Sequence, residues 1–195
     1  MNWGNFGPAG TLVANPSTIL SNSGFSVNVS KAVSGSFKID EQLPASVGAS
    51  SSWTGNFAPG DLLFYTNNLG TDQMNPITLD FGATAVAAGG AQIQANAHGK
   101  FTAKIEAFDA GGTSLASFTE NGNSTNTEDN SAIFIGISST SASIYKIALT
   151  IRKLGAPGWQ SQGKATSPST SSTSGPAPWV PLPLSPWPST SLVRL

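Results

Sequence analysis

Cysteine is absent from this chain of 195 residues, which excludes a disulfide framework, a thiol nucleophile and thiolate metal sites without choosing a compartment. Charge is scarce too: 10% of residues are charged and the net charge is −1. The few lysines form no basic stripe, so phosphate neutralisation has little to work with and nucleic acid is not an expected partner. No apolar run approaches the roughly 20 residues that span a bilayer, and Met1-Asn2-Trp3-Gly4 has neither the basic start nor the apolar middle of a signal peptide. A soluble chain with no membrane span and no signal peptide of its own is the expectation. Nor does any window have the spacing of a convincing amphipathic helix.

What the chain has is glycine, 21 residues of it, and short apolar–polar alternations set between Gly- and Asn-rich turns. Phe25, Val27 and Val29 alternate with Ser26, Asn28 and Ser30, and Phe37 and Ile39 repeat the period across Lys38. A period of two places such side chains on one face of a sheet. Asp61 to Thr66 and Ile77 to Phe81 are further short runs. From Phe101 to Ala107 the inward set is Phe101, Ala103, Ile105 and Ala107, and Asp109-Ala110-Gly111-Gly112 then supplies a tight turn into a returning strand, Thr113 to Thr119. Ala132 to Ile137 and Ser143 to Ile151 complete the series, the last with Tyr145, Ile147, Leu149 and Ile151 on one face. Many short strands imply an all-β fold, an antiparallel two-sheet sandwich of jelly-roll type.

The run from Gly89 to Gly112, GAQIQANAHGKFTAKIEAFDAGG within it, followed by NSAIFIGIS and ASIYKIALTI, resembles the β-sandwich of secreted bacterial proteins that carry a PEP-CTERM sorting signal. NFAPGDLLFYTNN and ITLDFG fit the same pattern, and the likeness covers about residues 3–151. The resemblance implies an exported or cell-surface protein with a sandwich similar to carbohydrate-binding modules. Members of that family normally begin with a signal peptide and end with a Pro-Glu-Pro motif before an apolar anchor, and this sequence shows neither.

Composition changes abruptly near residue 153. All ten acidic residues lie between Asp40 and Asp129, whereas residues 154–195 hold eight prolines and Trp159, Trp179 and Trp187. The expected organisation is therefore a β-sandwich over residues 1–153 and an irregular Pro/Ser/Thr-rich tail over 154–195. Codons 165–175, which encode ATSPSTSSTSG, can be decoded one nucleotide earlier as Gly-Asn-Phe-Ala-Ile-Asn-Leu-Val-Asp-Val-Gly, a strand pattern that resembles the family's terminal strand. Two readings of the change in composition stand side by side, a Pro/Ser/Thr-rich linker of the kind common in modular secreted proteins and a frameshift within the tail, the second being preferred.

Few residues offer chemistry. The lone histidine, His98, precedes Gly99 at a turn, where an exposed imidazole is the ordinary case, and no Gly-x-Ser-x-Gly elbow supplies a serine nucleophile. One histidine and no cysteine leave the usual zinc sets unfilled. Asp40-Glu41 and Glu128-Asp129 sit in polar stretches that suit solvated turns better than the facing carboxylates of a glycosidase. The oxygen-rich stretch Asn121 to Asn130 could hold calcium, although a plain Asn/Ser/Thr connector fits it better, and no other cofactor is expected.

Sugar binding by a sandwich relies on an exposed ring beside amides or carboxylates, because a pyranose offers an apolar face and a polar rim. Trp53, Tyr65, Asn67, Asn68 and Trp3 are the candidates, Trp53 first because it lies among small polar residues that demand no buried ring. Two functions follow from different classes. One is a non-catalytic exported sandwich for surface or matrix interaction with weak polysaccharide binding. The other is a small hydrolase acting on an ester or glycoside, which the single unaccompanied histidine disfavours.

Overall fold

A computed structural model of the chain describes residues 1–21, 24–43, 54–66 and 76–153, together with the backbone of 191–194. Two six-stranded sheets pack face to face. In the first, the strand order is β1 (Leu12–Val13), β4 (Phe37–Glu41), β5 (Leu62–Tyr65), β12 (Ser191–Arg194), β7 (Ala88–Gln94) and β10 (Ile133–Ser138). In the second it is β2 (Ser17–Leu20), β3 (Ser26–Lys31), β6 (Ile77–Asp80), β11 (Lys146–Lys153), β8 (Gly99–Phe108) and β9 (Ser114–Ser124). The all-β sandwich expected from the alternation is the fold observed. No helix among the described residues is long and apolar enough to cross a membrane.

Alternation sets the core. Along β8 the inward set is the expected one, Phe101, Ala103, Ile105 and Ala107, all buried, while Thr102, Lys104 and Glu106 stay partly exposed. Val29, Ile77, Ile105 and Leu149 of one sheet share a single cluster with Phe37, Ile39, Phe64 and Ile93 of the other. The interlocking of two inner faces in this way is what makes a sandwich stable. On β11 the expected face is shifted at its start: Ile147, Leu149 and Ile151 are buried, but Ile144 takes the inward place instead of Tyr145. An isolated bridge between Val86 and Ile144 breaks the period before the strand proper begins at Lys146.

The same rule drives a charge inward. Lys31 follows Val27 and Val29 on β3 at the period of two, and it is buried with them. Its Nζ donates to the carbonyl oxygens of Ser36, at 3.1 Å, and of Thr66, and lies 5.0 Å from the centre of the Phe37 ring. Burial pushes its pKa below the usual lysine value.

Before β1, a 3-10 turn over Trp3–Phe6 is capped by Asn2, whose Oδ1 accepts from the Gly4 N–H at 2.9 Å. The turn lays Trp3 over Phe64 with ring centres 4.4 Å apart, and Phe64 in turn meets Phe37 at 4.5 Å. Trp3 is 2% exposed, and its Nε1 is buried with no hydrogen-bond partner among the described residues.

Of the tail, only Ser191–Arg194 is described, and these residues form strand β12 where the sequence suggested irregular backbone. A gap between β5 and β7 gives this stretch pairing partners on both sides. All the other ladders of the described strands are antiparallel, and β12 alone runs parallel to its neighbours.

The turn read at Asp109 to Gly112 joins β8 to β9. Asp109 exchanges backbone bonds with Thr113 and Gly112, its Oδ1 accepts from the Thr113 N–H at 2.8 Å, and Gly112 has φ +80°. Only glycine adopts that backbone without cost. Gly112→Val is therefore expected to destabilise the fold by about 1–2 kcal/mol or more, and Gly111→Val, whose φ is ordinary, by much less. Urea denaturation of the two variants measures the difference, and equal midpoints would contradict the turn geometry.

Candidate functional site

One end of the sandwich carries a polar node centred on Asn56, in the stretch that leads into β5. Between β9 and β10 the chain reads Thr125, Asn126, Thr127, Glu128, Asp129, Asn130, Ser131, with Glu128 and Asn130 in left-handed conformation at φ 54° and 55°. The alternation turns every second side chain toward Asn56. Its Nδ2 lies 2.6 Å from Thr125 Oγ1, 3.0 Å from both Thr127 Oγ1 and Ser131 Oγ, and 3.4 Å from Asp129 Oδ1. Asn56 Oδ1 accepts from the Thr125 N–H at 2.8 Å, which fixes which way the amide points.

Backbone bonds hold the loop in place. Glu128 N–H donates to the Gly55 carbonyl at 2.9 Å and Ala132 N–H to the Asn56 carbonyl at 3.1 Å. Two more buried amides lock this arrangement. Gln94 accepts from the Asn56 N–H at 2.7 Å and donates to the Thr125 carbonyl at 3.1 Å, while Gln42 accepts from the Gly55 N–H at 2.9 Å. Buried polar groups this well satisfied rigidify the segments they join.

Asp129 is exposed, yet its carboxyl is chemically tuned. The Ser131 hydroxyl, donating at 2.5 Å, and next the Thr127 hydroxyl hold its pKa down to about 2. A carboxylate whose folded pKa is depressed stabilises the fold above its unfolded value, near 3.8, and loses that contribution as pH falls through about 2. Acid unfolding should thus show wild type more stable than Asp129→Asn at pH 5, with the gap closing between pH 4 and pH 2. A pH-independent gap would remove the carboxylate from the account.

Beside the node lies a concavity of about 730 Å³. Thr127, Asp129 and Ser131 edge it on one side and Lys100, Asn121 and Asn123 on the other. Its apolar base is the Phe101 ring, but Gly122 lies directly across the ladder from it, and a Cβ at that position would overlap the ring. The ring is consequently covered by backbone, with Phe101 1% exposed. A second depression of about 630 Å³ runs between β9 and β10 past Phe118, Ile133 and Phe134.

These groups donate and accept hydrogen bonds, and the hydroxyls of Ser131 and Thr127 rest on a carboxylate whose pKa is held down to about 2, too weak a base to activate them. His98 stands exposed in the bend before β8, and no serine or carboxylate among the described residues is hydrogen-bonded to it. The described residues contain no group of three or more His, Cys, Asp or Glu able to hold a metal. Within Asn121 to Asn130 the oxygens expected for calcium are partly drawn into strand β9, and those of the loop surround an amide nitrogen, a donor that occupies the position a cation would need.

Of the ring and amide candidates, Trp3 lies in the core and offers no open face. Tyr65 is 7% exposed, and its hydroxyl accepts from Asn96 Nδ2 at 3.2 Å at the end of β5. Trp53, Asn67 and Asn68 fall outside the described residues. Asn56 and Ser131 are functional candidates that sequence reasoning missed, whereas Thr125, Thr127 and Asp129 lie in the oxygen-rich stretch it marked; the alternating Thr-x-Thr-x-Asp-x-Ser of 125–131 is the signal that would extend that stretch to Ser131. Compared with known proteins, the chain matches no family model, no curated protein and no solved structure.

Proposed function

We propose that this chain is a non-catalytic binding module of an exported or surface-associated protein, of the PEP-CTERM type that its sequence resembles, and that its concavity takes a polysaccharide segment weakly. The observation that carries the reading is the rim: amides, hydroxyls, one lysine and one carboxylate of depressed pKa converge on an open hollow. A sugar hydroxyl both donates and accepts, and Asn side chains match it in both senses. Phe101, the one ring beneath the hollow, is covered by Gly122, so a bound sugar gains hydrogen bonds exchanged against water rather than a stacked face. Affinity in the millimolar range is the physical consequence, unless Trp53, three residues before Asn56 in sequence, contributes its ring.

Affinity electrophoresis of the pure protein against a panel of soluble glycans, with added calcium and with chelator, tests this. Retardation by at least one glycan is expected. Asn123→Ala should weaken it several-fold, and Trp53→Ala roughly tenfold if the ring stacks, at the usual 1–2 kcal/mol for such a contact. Mobility unchanged on every glycan would end the carbohydrate reading. Product release by the pure protein that disappears in His98→Ala would overturn the non-catalytic one.

A further inference from the structure

The two hollows beside the Asn56 node share a wall. The larger, about 730 Å³, and the smaller, about 630 Å³, are both lined by Ser131 and Ile133. Together they follow the seam between β9 and β10, the last strands of their two sheets on this side of the sandwich. β9 has eleven residues and β10 six, so the longer strand runs on past the shorter.

Which side chains of β9 point across the seam is fixed by their partners on β8. Phe118 stands opposite Ile105, Glu120 opposite Ala103 and Gly122 opposite Phe101, all three partners being buried. Alternation would make this face of β9 apolar throughout. Of the three, only Phe118 obeys: its half-buried ring packs against the core, whereas Glu120 is exposed and Gly122 has no side chain to offer. An inward carboxylate on an edge strand keeps a second sheet from pairing there, and it also leaves the seam open. Phe134, the other ring of the smaller hollow, turns away from the seam; it stands over Gly90 on the outer face of the first sheet, where a Cβ would meet the ring at 2.7 Å.

The groove therefore changes character along its length. At the Asn56 end it presents amides and hydroxyls above a ring hidden under Gly122, and at the other end the Phe118 ring with the Glu120 carboxylate and the amides of Gln92 and Asn130. From Asn123 to Phe118 the strand advances five residues, about 17 Å or roughly three pyranose units.

We propose that the seam between β9 and β10 is one extended groove for a neutral glycan chain, hydrogen-bonded between Asn123 and Ser131 and stacked on Phe118 beside Glu120, an assignment that rests on the carbohydrate reading and adds to it the length and charge of the ligand. A pyranose face on Phe118 supplies the apolar contact that the larger hollow lacks. The Glu120 carboxylate accepts from two neighbouring sugar hydroxyls at once. Two weak subsites joined by one chain bind it far better than either binds a fragment, because the second contact is intramolecular. Asp129 and Glu120 against the single Lys100 turn the groove away from polyuronates.

NMR titration of the full chain with disaccharides and hexasaccharides of the cello, xylo, manno, laminari and chito series tests the groove. At least one hexasaccharide should bind ten times or more as tightly as its disaccharide, by the rough measure of linked sites, and should shift the amide signals of both Phe118 and Asn123. Phe118→Leu, which keeps apolar bulk without the ring, should weaken that hexasaccharide roughly five- to tenfold and change the disaccharide little, while Asn123→Ala weakens both. A hexauronate should bind less tightly than the neutral chain. Equal affinity for disaccharide and hexasaccharide, or signals that move only at Asn123, would overturn the extended groove and leave the carbohydrate reading standing, and this comparison on the unaltered chain decides even if Phe118→Leu fails to fold. No shift with any oligosaccharide would remove both, and a hexauronate that binds best would overturn the preference for a neutral chain.

Discussion

Trp3→Ala should unfold this protein some 10–20 °C below wild type. The substitution empties a site where a fully enclosed indole stacks on Phe64, and such truncations cost about 3–5 kcal/mol. Phe64 is also the ring that Phe6, at 5.6 Å, and Phe37 rest against, so the cavity opens at the junction of three aromatic contacts. Trp3→Phe should behave quite differently. It loses part of the ring, but it also deletes the buried Nε1 that has no acceptor among the described residues, a group whose desolvation costs about 1–3 kcal/mol. The net change is expected to stay under about 1 kcal/mol. Thermal melts of both variants decide the matter, and a Phe variant as damaged as the Ala variant would mean that Nε1 is satisfied after all.

Asn56→Asp should destabilise the fold strongly although it exchanges a single heavy atom. It replaces the amide nitrogen by a carboxylate oxygen that faces the hydroxyls of Thr125, Thr127 and Ser131 and the carboxylate of Asp129, all within 3.4 Å of the original nitrogen. A buried charge without a partner costs about 3–5 kcal/mol. Burial and the neighbouring carboxylate would both raise the new group's pKa, so its neutral form is the one the fold tolerates, and the variant should gain stability as pH is lowered from 8 toward 5. Millimolar calcium should restore part of the loss, because the new carboxylate then lies beside that of Asp129 and three hydroxyl oxygens, a set of hard ligands that a calcium ion can bridge. Denaturation at the two pH values, with calcium and with chelator, checks each statement. A variant as stable as wild type at pH 8 without calcium would show that the amide nitrogen is not the donor that joins the loop.

How much of this could be read beforehand depends on the range of the interaction. Period-two patterning is local, and it located β3, β4, β8 and the inward face of most of β11. The turn at Asp109 was equally visible because Gly112 answers a local backbone demand. β1 and β2 escaped notice because each has only one buried residue, Val13 or Ile19, and one residue makes no period. Lys31 was hidden by its chemistry, since a lysine at the end of Phe25-x-Val27-x-Val29 looks like the place where the pattern stops, although the register continues through it. Trp3 resembles a ring for sugar in the sequence because nothing in the first four residues tells that the Asn2-capped turn folds it over Phe64, a residue far along the chain. The site shows the same limit. The oxygens of 121–130 are visible in the sequence, but the amide they serve lies 69 residues before Thr125, and a partner that remote leaves no trace in either local segment.

Because the loop between β9 and β10 reaches Asn56 with every second residue, its tolerance to change in length is a matter of parity. One residue added between Thr127 and Asp129 would exchange inside for outside from that point on, carrying the Asn130 amide inward and swinging both Asp129 and Ser131 away. Two added residues would restore the sense of the remainder and leave a small outward blister. Versions of this loop that keep the node should accordingly differ in length by even numbers, and an odd difference should be found only where the asparagine at its centre has also been given up.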